Sequence, residues 1–378
     1  MKKNYFLLAA STMMFAACAQ TDMVNEVVTE EAPQAIGFET FANKATRAEN
    51  NQTNYTDGLE SHHSNFTVFA GKKIQDPDGM PTTEAVYSNK NEGTVSYDSS
   101  KSKWGANPLK YWDKTASEYY FYAGAPADAK WEFAIYRNDY STGYLKYADF
   151  TLAGENIADG TNTHYNNWTK NSSKNDIDLM IAAPNTVNRT SYNKPEPENV
   201  HMQFNHILSR LSIKVNKGST IPQGQKLELT SLVVYNMKNT GSFDESKDAA
   251  DQTPKITRWE TKNDTYELPA VEVTNEITSA IYTHQYLVIP QAVNYEAIDT
   301  DGSGTNDEAY FRIDYKIDDE PYYAYYNLAQ AFGQNGSLNF QEGWENTLTI
   351  TINPDIIVFD ANVSEWQDYV GNGSATIE

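Results

Sequence analysis

The chain has 378 residues and a net charge of −22, and it contains a single cysteine. A surface this acidic repels phosphate backbones and disfavours nucleic-acid binding, and one cysteine excludes an intramolecular disulfide. The length predicts about two domains, and the 26 tyrosines favour strands over helices.

The N-terminus has the pattern of a lipoprotein signal peptide. Lys2 and Lys3 precede a short apolar stretch, and two alanines stand directly before Cys18. The stretch is shorter than the roughly 20 apolar residues that span a membrane, so it is typical of a cleaved export signal. We predict that residues 1–17 are removed and that Cys18 becomes a lipidated N-terminus that anchors the chain to a membrane through its acyl chains.

Residues 18–47 are predicted to be a tether that ends in a short strand and a polar segment. The tether is acidic and unpatterned as far as residue 34. Ile36 and Phe38 then alternate with small or charged residues, which is typical of a strand with one apolar face. The polar segment that follows contains Arg47, and an exposed segment of this kind is open to a protease.

Short strand-like runs separated by turn signals fill the rest of the chain. In the first half they lie at 66–70, 94–97, 119–123 and 178–182. In the second half they lie at 206–215, 227–235, 285–289, 310–317, 322–326, 347–352 and 356–363, with one possible helical turn at 328–332. No apolar period of 3.6 residues persists, so the predicted fold class is all-β, with two consecutive β-sandwich domains.

The segment 194–198, with alternating prolines, is the best candidate for a linker because proline favours an extended chain. It predicts an N-terminal domain at 48–196 and a C-terminal domain at 197–378. Near the end of the chain Ile357, Phe359, Ala361 and Val363 alternate with other residues. This closing strand therefore has one face that needs an apolar partner.

The sequence contains no motif that predicts catalysis, so we expect neither an enzyme nor a cofactor. We also expect no metal site, because the adjacent His62 and His63 are the one pair among the six histidines with a spacing that zinc could use, and they stand in a polar stretch.

One acidic segment resembles part of a calcium loop. Asp299, Asp301, Ser303 and Asp307 follow the spacing of an EF-hand, but Tyr310 replaces its bidentate glutamate. The alternatives are a calcium site and an acidic hairpin loop.

Several segments, in order, resemble the fimbrillin-like family, the subunits of type V pili in Gram-negative gut and oral bacteria. They are the sequences ATRA at 45–48, YYFYAGAP at 119–126, FNHILSRL at 204–211, IPQ at 289–291 and the closing strand with its tryptophan at 356–366. The resemblance implies two tandem transthyretin-like β-sandwich domains. It also implies a lipoprotein precursor that is located at the cell surface.

The resemblance further implies assembly by strand exchange. A protease cuts after an arginine, here Arg47, and the propeptide strand with Ile36 and Phe38 leaves an apolar groove. A C-terminal strand of another pilus subunit fills that groove, and the candidate donor is 355–366, with the tail 367–378 as the alternative. The subunit could belong to the stalk, the tip or the anchor of the pilus.

Two other functions compete with a pilus subunit. The first is a surface lipoprotein that binds glycans on exposed aromatic rings, for which the sequence offers Tyr165 and Trp168 in a polar loop. The second is an outer-membrane hydrolase, because a pair of catalytic carboxylates has no distinctive spacing in sequence. The ligand on a host or bacterial surface is not predicted.

Overall fold

The computed structural model describes residues 33–42, 58–152, 177–188, 199–247, 258–262, 265–269, 282–295, 308–334 and 336–365. Strands dominate these residues, which contain one α-helix of four residues. The predicted all-β fold class is therefore confirmed. Within the described ranges, no helix has the length and apolar character needed to cross a membrane.

The first nine strands are β1 (Gly37–Ala42), β2 (Asn65–Gln75), β3 (Pro81–Tyr87), β4 (Thr94–Asp98), β5 (Lys103–Asn107), β6 (Glu118–Ala125), β7 (Trp131–Tyr136), β8 (Asp139–Thr151) and β9 (Met180–Asn188). The next strands are β10 (Asn199–His206), β11 (Ser209–Lys217), β12 (Leu227–Lys238), β13 (Thr240–Asp244), β14 (Trp259–Thr261), β15 (Thr265–Pro269), β16 (Tyr282–Val288) and β17 (Gln291–Asn294). The last elements are β18 (Tyr310–Ile317), β19 (Glu320–Asn327), α1 (Leu328–Ala331), β20 (Ser337–Phe340), β21 (Trp344–Ile352) and β22 (Ile357–Glu365).

Seven strands close into a ring. In the order β2, β4, β5, β1, β10, β9 and β6, each strand pairs with the next, and β6 pairs again with β2. Strand β3 adds to the free part of the β2 edge. The ring encloses an apolar core that includes the fully buried aromatic residues Phe66, Tyr87, Tyr119, Phe121 and Phe204.

The C-terminal part of the chain forms a two-sheet sandwich. One sheet has the order β16-β11-β21-β22 and the other has the order β15-β12-β18-β19. Alternate residues of β21, which are Leu348, Ile350 and Ile352, are fully buried between the sheets. The period of two seen in the sequence at 347–352 is therefore realised as an inward and an outward face.

A further sheet joins strands from both halves of the sequence. Its order is β14-β13-β8-β7, so β13 of the second half pairs directly with β8 of the first. Its aromatic residues, including Trp131 and Phe243, form a third core with Tyr120 and Tyr122 of the ring strand β6.

These pairings cross the domain boundary predicted at 196/197. Strand β10 lies in the ring although it follows that boundary, and β13 and β14 lie beside β7 and β8. The physical reason is that a proline-rich segment indicates an extended chain but carries no information about where the next strand pairs. The segment 189–198 itself lies outside the described residues.

Candidate functional site

The first strand, β1, lies between β5 and β10 in the ring. On one side it forms a parallel ladder with β10, from Gly37 opposite Asn199 to Ala42 opposite Phe204. On the other side it meets β5 at a single pair, Phe38 opposite Trp104. Because the ring depends on β1 to connect β5 with β10, removal of this strand would leave a groove between them.

One face of β1 points into the ring core. Ile36, Phe38, Thr40 and Ala42 are all at most 5% exposed, whereas Glu39 between them is exposed. The structure thus places both predicted propeptide residues, Ile36 and Phe38, inside the core. The strand therefore contributes side chains to the core of the ring as well as backbone pairing to its sheet.

Phe38 occupies a pocket of aromatic rings. Its ring centroid lies 5.9 Å from that of Phe66, 6.2 Å from that of Phe121 and 6.3 Å from that of Tyr87. The first two contacts are edge-to-face, an arrangement that aromatic pairs favour. We call this set the Phe38 pocket.

Polar contacts also hold the strand in place. The N–H of Leu59, just after the undescribed segment 43–57, donates to Thr40 Oγ1 at 3.2 Å. Before the strand, the N–H of Ile36 donates to Lys110 O and that of Trp112 donates to Gln34 O. On the outer face, Glu39 forms an ion pair of 3.0 Å with His201, which is exposed and therefore contributes little stability.

Several predicted site residues lie outside the described part of the chain. These are Cys18, Arg47 and the calcium candidates Asp299, Asp301, Ser303 and Asp307. The glycan candidates Tyr165 and Trp168 and the tail 367–378 lie outside it too. Their roles stay predictions.

The candidate donor strand β22 is an edge strand of the C-terminal sandwich. It pairs with β21 from Ile352 opposite Ile357 to Trp344 opposite Glu365. Ile357, Phe359 and Ala361 are partly buried against the sandwich core, and Val363 is 38% exposed. Within this single chain, therefore, the strand completes its own sandwich.

Phe359 makes the main contacts of β22 with its own core. Its ring lies 4.5 Å from that of Tyr326 and 5.9 Å from that of Phe311, both edge-to-face. The opposite face of β22 is open, with Val358 47% exposed. The burial of β22 is therefore shallower than that of β1.

A buried polar cluster lies at one end of the ring and was missed by sequence reasoning. His62 and His63 follow a short 3-10 turn, Leu59–Ser61, and both are only 5% exposed. Asp178, just before β9, and His206, the last residue of β10, are buried beside them. His206 Nδ1 lies 2.8 Å from Asp178 Oδ2, and the rings of His62 and His206 are 5.6 Å apart.

Burial lowers the pKa of His63 to about 4, although the charge of Asp178 acts in the opposite direction. The adjacent histidines gave no sign of this burial in the sequence because their partners are more than 100 residues away. Only the FNHILSRL segment, which contains His206, marked one member of the cluster.

Comparisons with known proteins show which family the chain belongs to. The sequence pattern of the fimbrillin-like family matches residues 46–366. No curated protein matches the chain. A fimbrial protein from Bacteroides vulgatus superposes with a TM-score of 0.51 at 16% identity, over 88% of this chain and all of that one.

The tip fimbrial protein Mfa3 from Porphyromonas gingivalis, in a C-terminally truncated form, superposes with a TM-score of 0.37 at 9% identity, over 89% of this chain and 100% of that one. At these identities the structural matches bear on the fold alone, and the match to Mfa3 adds nothing to it. The family pattern, in contrast, extends over most of the sequence, including the sandwich and every strand of the ring except β1. The chain belongs to the fimbrillin-like family.

Proposed function

We propose that the chain is a structural or adhesive subunit of a type V pilus, which is exported as a lipoprotein and assembled by strand exchange. The observation that supports this most directly is the position of β1. The strand fills the ring core with one face, yet one of its two neighbours holds it by a single pair. Such a strand can be replaced by another strand of the same shape.

Proteolysis provides the trigger in this proposal. While β1 remains joined to the ring through residues 43–57, its effective concentration at the groove is in the millimolar range, which a donor strand cannot match. A cut at Arg47 makes β1 a separate peptide that can diffuse away. Signal-peptide removal and the cut together change the net charge only from −22 to −21, because residues 1–47 contain four basic and five acidic side chains. The effect of the cut is therefore steric rather than electrostatic.

One face of β22 has the same first two side chains as the buried face of β1 and its preceding residue, and two different small or apolar side chains after them. Ile357 corresponds to Ile36, Phe359 to Phe38, Ala361 to Thr40 and Val363 to Ala42, each separated by one residue. A neighbour's β22 running in the direction of β1 would therefore place Phe359 in the Phe38 pocket. Burial of these four side chains, at about 1–2 kcal/mol each, would make the inserted strand long-lived. The alternative donor, the tail 367–378, lacks four alternating side chains of this size.

The proposal assigns two chemical states to the N-terminus. The precursor carries lipid on Cys18 and is held at the outer membrane, whereas the assembled subunit begins near Ala48 and lies in the fimbrium. Its partners are other copies of this chain or related pilus subunits.

Mass spectrometry of the two forms tests this assignment. We expect precursor from the membrane fraction to carry acyl chains on Cys18, and Cys18→Ala precursor to carry none. Polymers isolated from cells, or grown after limited trypsin treatment, should begin at or near Ala48. Polymers that begin uniformly at Cys18 would contradict the proposed exchange.

Adhesion to carbohydrate is a second candidate function, and a surface of the C-terminal sandwich favours it. The outward face of β12, β18 and β19 carries Tyr235, Tyr310, Arg312, Tyr323 and Tyr325, which we call the tyrosine face. Tyr323 is 67% exposed, and the Arg312 guanidinium lies over the rings of Tyr323 and Tyr325 at 5.3 and 5.4 Å. Exposed rings beside charged hydrogen-bonding groups suit the stacking of sugar rings.

Retention on immobilised polysaccharides tests the tyrosine face. We expect Tyr323→Ala to weaken binding roughly 30-fold, as for an aromatic residue at the centre of a binding surface. Tyr136→Ala is the matched control, because Tyr136 is 60% exposed and also lies beside an arginine, Arg137. Equal loss in both variants, or no retention of the unmodified protein, would argue against this function.

A further inference from the structure

The buried cluster at the end of the ring has the composition of a transition-metal site. One nitrogen of His62, one nitrogen of His206 and one carboxylate oxygen of Asp178 all lie within 4.8 Å of one another. All three residues are buried. They come from the turn before β2, the segment before β9 and the end of β10, so the fold brings together three separate parts of the chain.

Two polar atoms of the cluster have unused bonding capacity. Asp178 Oδ1 and His63 Nε2 are buried, and neither has a hydrogen-bond partner. A buried carboxylate is costly unless its charge is offset. Among the described residues, Asp178 forms an ion pair with His206. His206 offsets the charge of Asp178 only when its ring is protonated. A bound cation would offset the charge and use the remaining oxygen lone pairs.

The donor set decides which cation fits. Calcium and magnesium prefer oxygen ligands throughout, whereas imidazole nitrogen suits zinc, copper, nickel and iron. Of these, zinc is the ion that most readily takes a tetrahedral set of nitrogen and oxygen ligands. Zinc bonds to nitrogen and oxygen are about 2.0–2.2 Å long and are arranged tetrahedrally, so the ligand atoms of a zinc site lie roughly 3.3–3.6 Å apart. The three ligand atoms lie within 4.8 Å of one another, so the most distant pair has to approach by no more than about 1.5 Å to reach these separations.

We infer that His62, Asp178 and His206 form a zinc site that fastens the turn after the propeptide segment to strands β9 and β10. His63 stands beside the site, where its ring hydrogen-bonds to the Asp178 backbone. The backbone N–H groups of His62 and His63 both donate to Leu59 O at 2.8 Å, so the turn fixes the backbone that carries the two rings. The ion connects segments that remain in the ring when β1 is absent.

Zinc titration of the purified mature chain tests the inference. After treatment with EDTA and dialysis, we expect one Zn²⁺ per chain by calorimetry and by elemental mass spectrometry. The Tm should rise by several degrees as Zn²⁺ exceeds its Kd, because the ion binds the folded state. Co²⁺ in place of Zn²⁺ should give the visible absorption of a tetrahedral nitrogen and oxygen site, a measurement that needs no variant.

Three variants locate the ion. His62→Ala and Asp178→Asn should each weaken Zn²⁺ binding by at least about tenfold, since even residues outside the ligand shell contribute that much. His201→Ala is the control because His201 lies on the same strand, β10, but is exposed. Circular dichroism without metal establishes that each variant is folded. The inference is overturned if the unmodified chain binds no Zn²⁺ or if its Tm changes with neither EDTA nor Zn²⁺. It is also overturned if His62→Ala binds Zn²⁺ as tightly as His201→Ala does.

Discussion

Phe38→Ala should destabilise the uncleaved precursor by about 3–5 kcal/mol, because it empties the Phe38 pocket of an aromatic ring that is 4% exposed. Phe41→Ala is the matched control. Phe41 lies on the same strand but on its outer face, where it is only partly buried and stacks on His201 at 5.9 Å. A thermal melt of the two precursors, followed by circular dichroism, should therefore show a large fall in Tm for Phe38→Ala alone.

The same variant should make assembly faster, although it makes the precursor less stable. After cleavage, a weakened β1 leaves the groove sooner, so Phe38→Ala protein should polymerise earlier than the unmodified protein. The finished polymers should have equal stability, since they no longer contain residue 38. Light scattering after protease addition measures the delay, and chemical denaturation compares the polymers. Slower assembly of Phe38→Ala, or polymers of lower stability, would mean that β1 is not the strand that is exchanged.

The sequence was most informative where apolar residues alternate cleanly. The strand predicted at 310–317 is β18 without a change of bounds, and the single helical turn predicted at 328–332 is α1, Leu328–Ala331. The strand predicted at 347–352 forms the end of β21. In the two strands a buried face imposes a period of two, and that period is visible without any knowledge of the partner strand.

Sequence reasoning was weakest where pairing is long-range or where a strand is polar. Strand β3, Pro81–Tyr87, is mostly exposed and so has no apolar face to reveal it. The run predicted at 206–215 was joined across two elements, because β10 ends at His206 and β11 begins at Ser209. The chain changes sheet between these residues, and a change of sheet leaves no mark on local alternation.

The candidate site shows the same division between local and long-range information. Alternation identified Ile36 and Phe38 as one apolar face, but not the aromatic pocket around Phe38. That pocket depends on β2, β3 and β6, which are distant in sequence. The burial of His62 and His63 was hidden for the same reason, since it depends on β9 and β10 closing over the turn. The residues around the pair are polar, which predicts exposure, and only the tertiary structure shows that the two histidines are buried.

Phe359→Asp should block polymerisation while the monomer still folds. In the monomer, residue 359 is only partly buried and lies on an edge strand, so the substitution should cost about 1–3 kcal/mol. In the groove of a neighbour the same carboxylate would enter the enclosed Phe38 pocket, whose lining residues Phe66, Tyr87 and Phe121 offer no cation to offset its charge. That burial costs several kcal/mol more, which is enough to prevent insertion. The difference between the two environments gives the variant its discriminating power.

Val358→Asp is the control for an added charge on β22. Val358 points away from the sandwich core and corresponds to Gly37 on β1, so its side chain should stay outside the groove in the polymer as well. Thermal melts of both monomers, read beside a polymerisation assay after cleavage, separate the possibilities. If the Phe359→Asp monomer does not fold, β22 belongs to its own sandwich and is not the donor strand. A folded Phe359→Asp monomer that polymerises like Val358→Asp would move the donor role to the tail 367–378, because the groove would then be filled without residue 359.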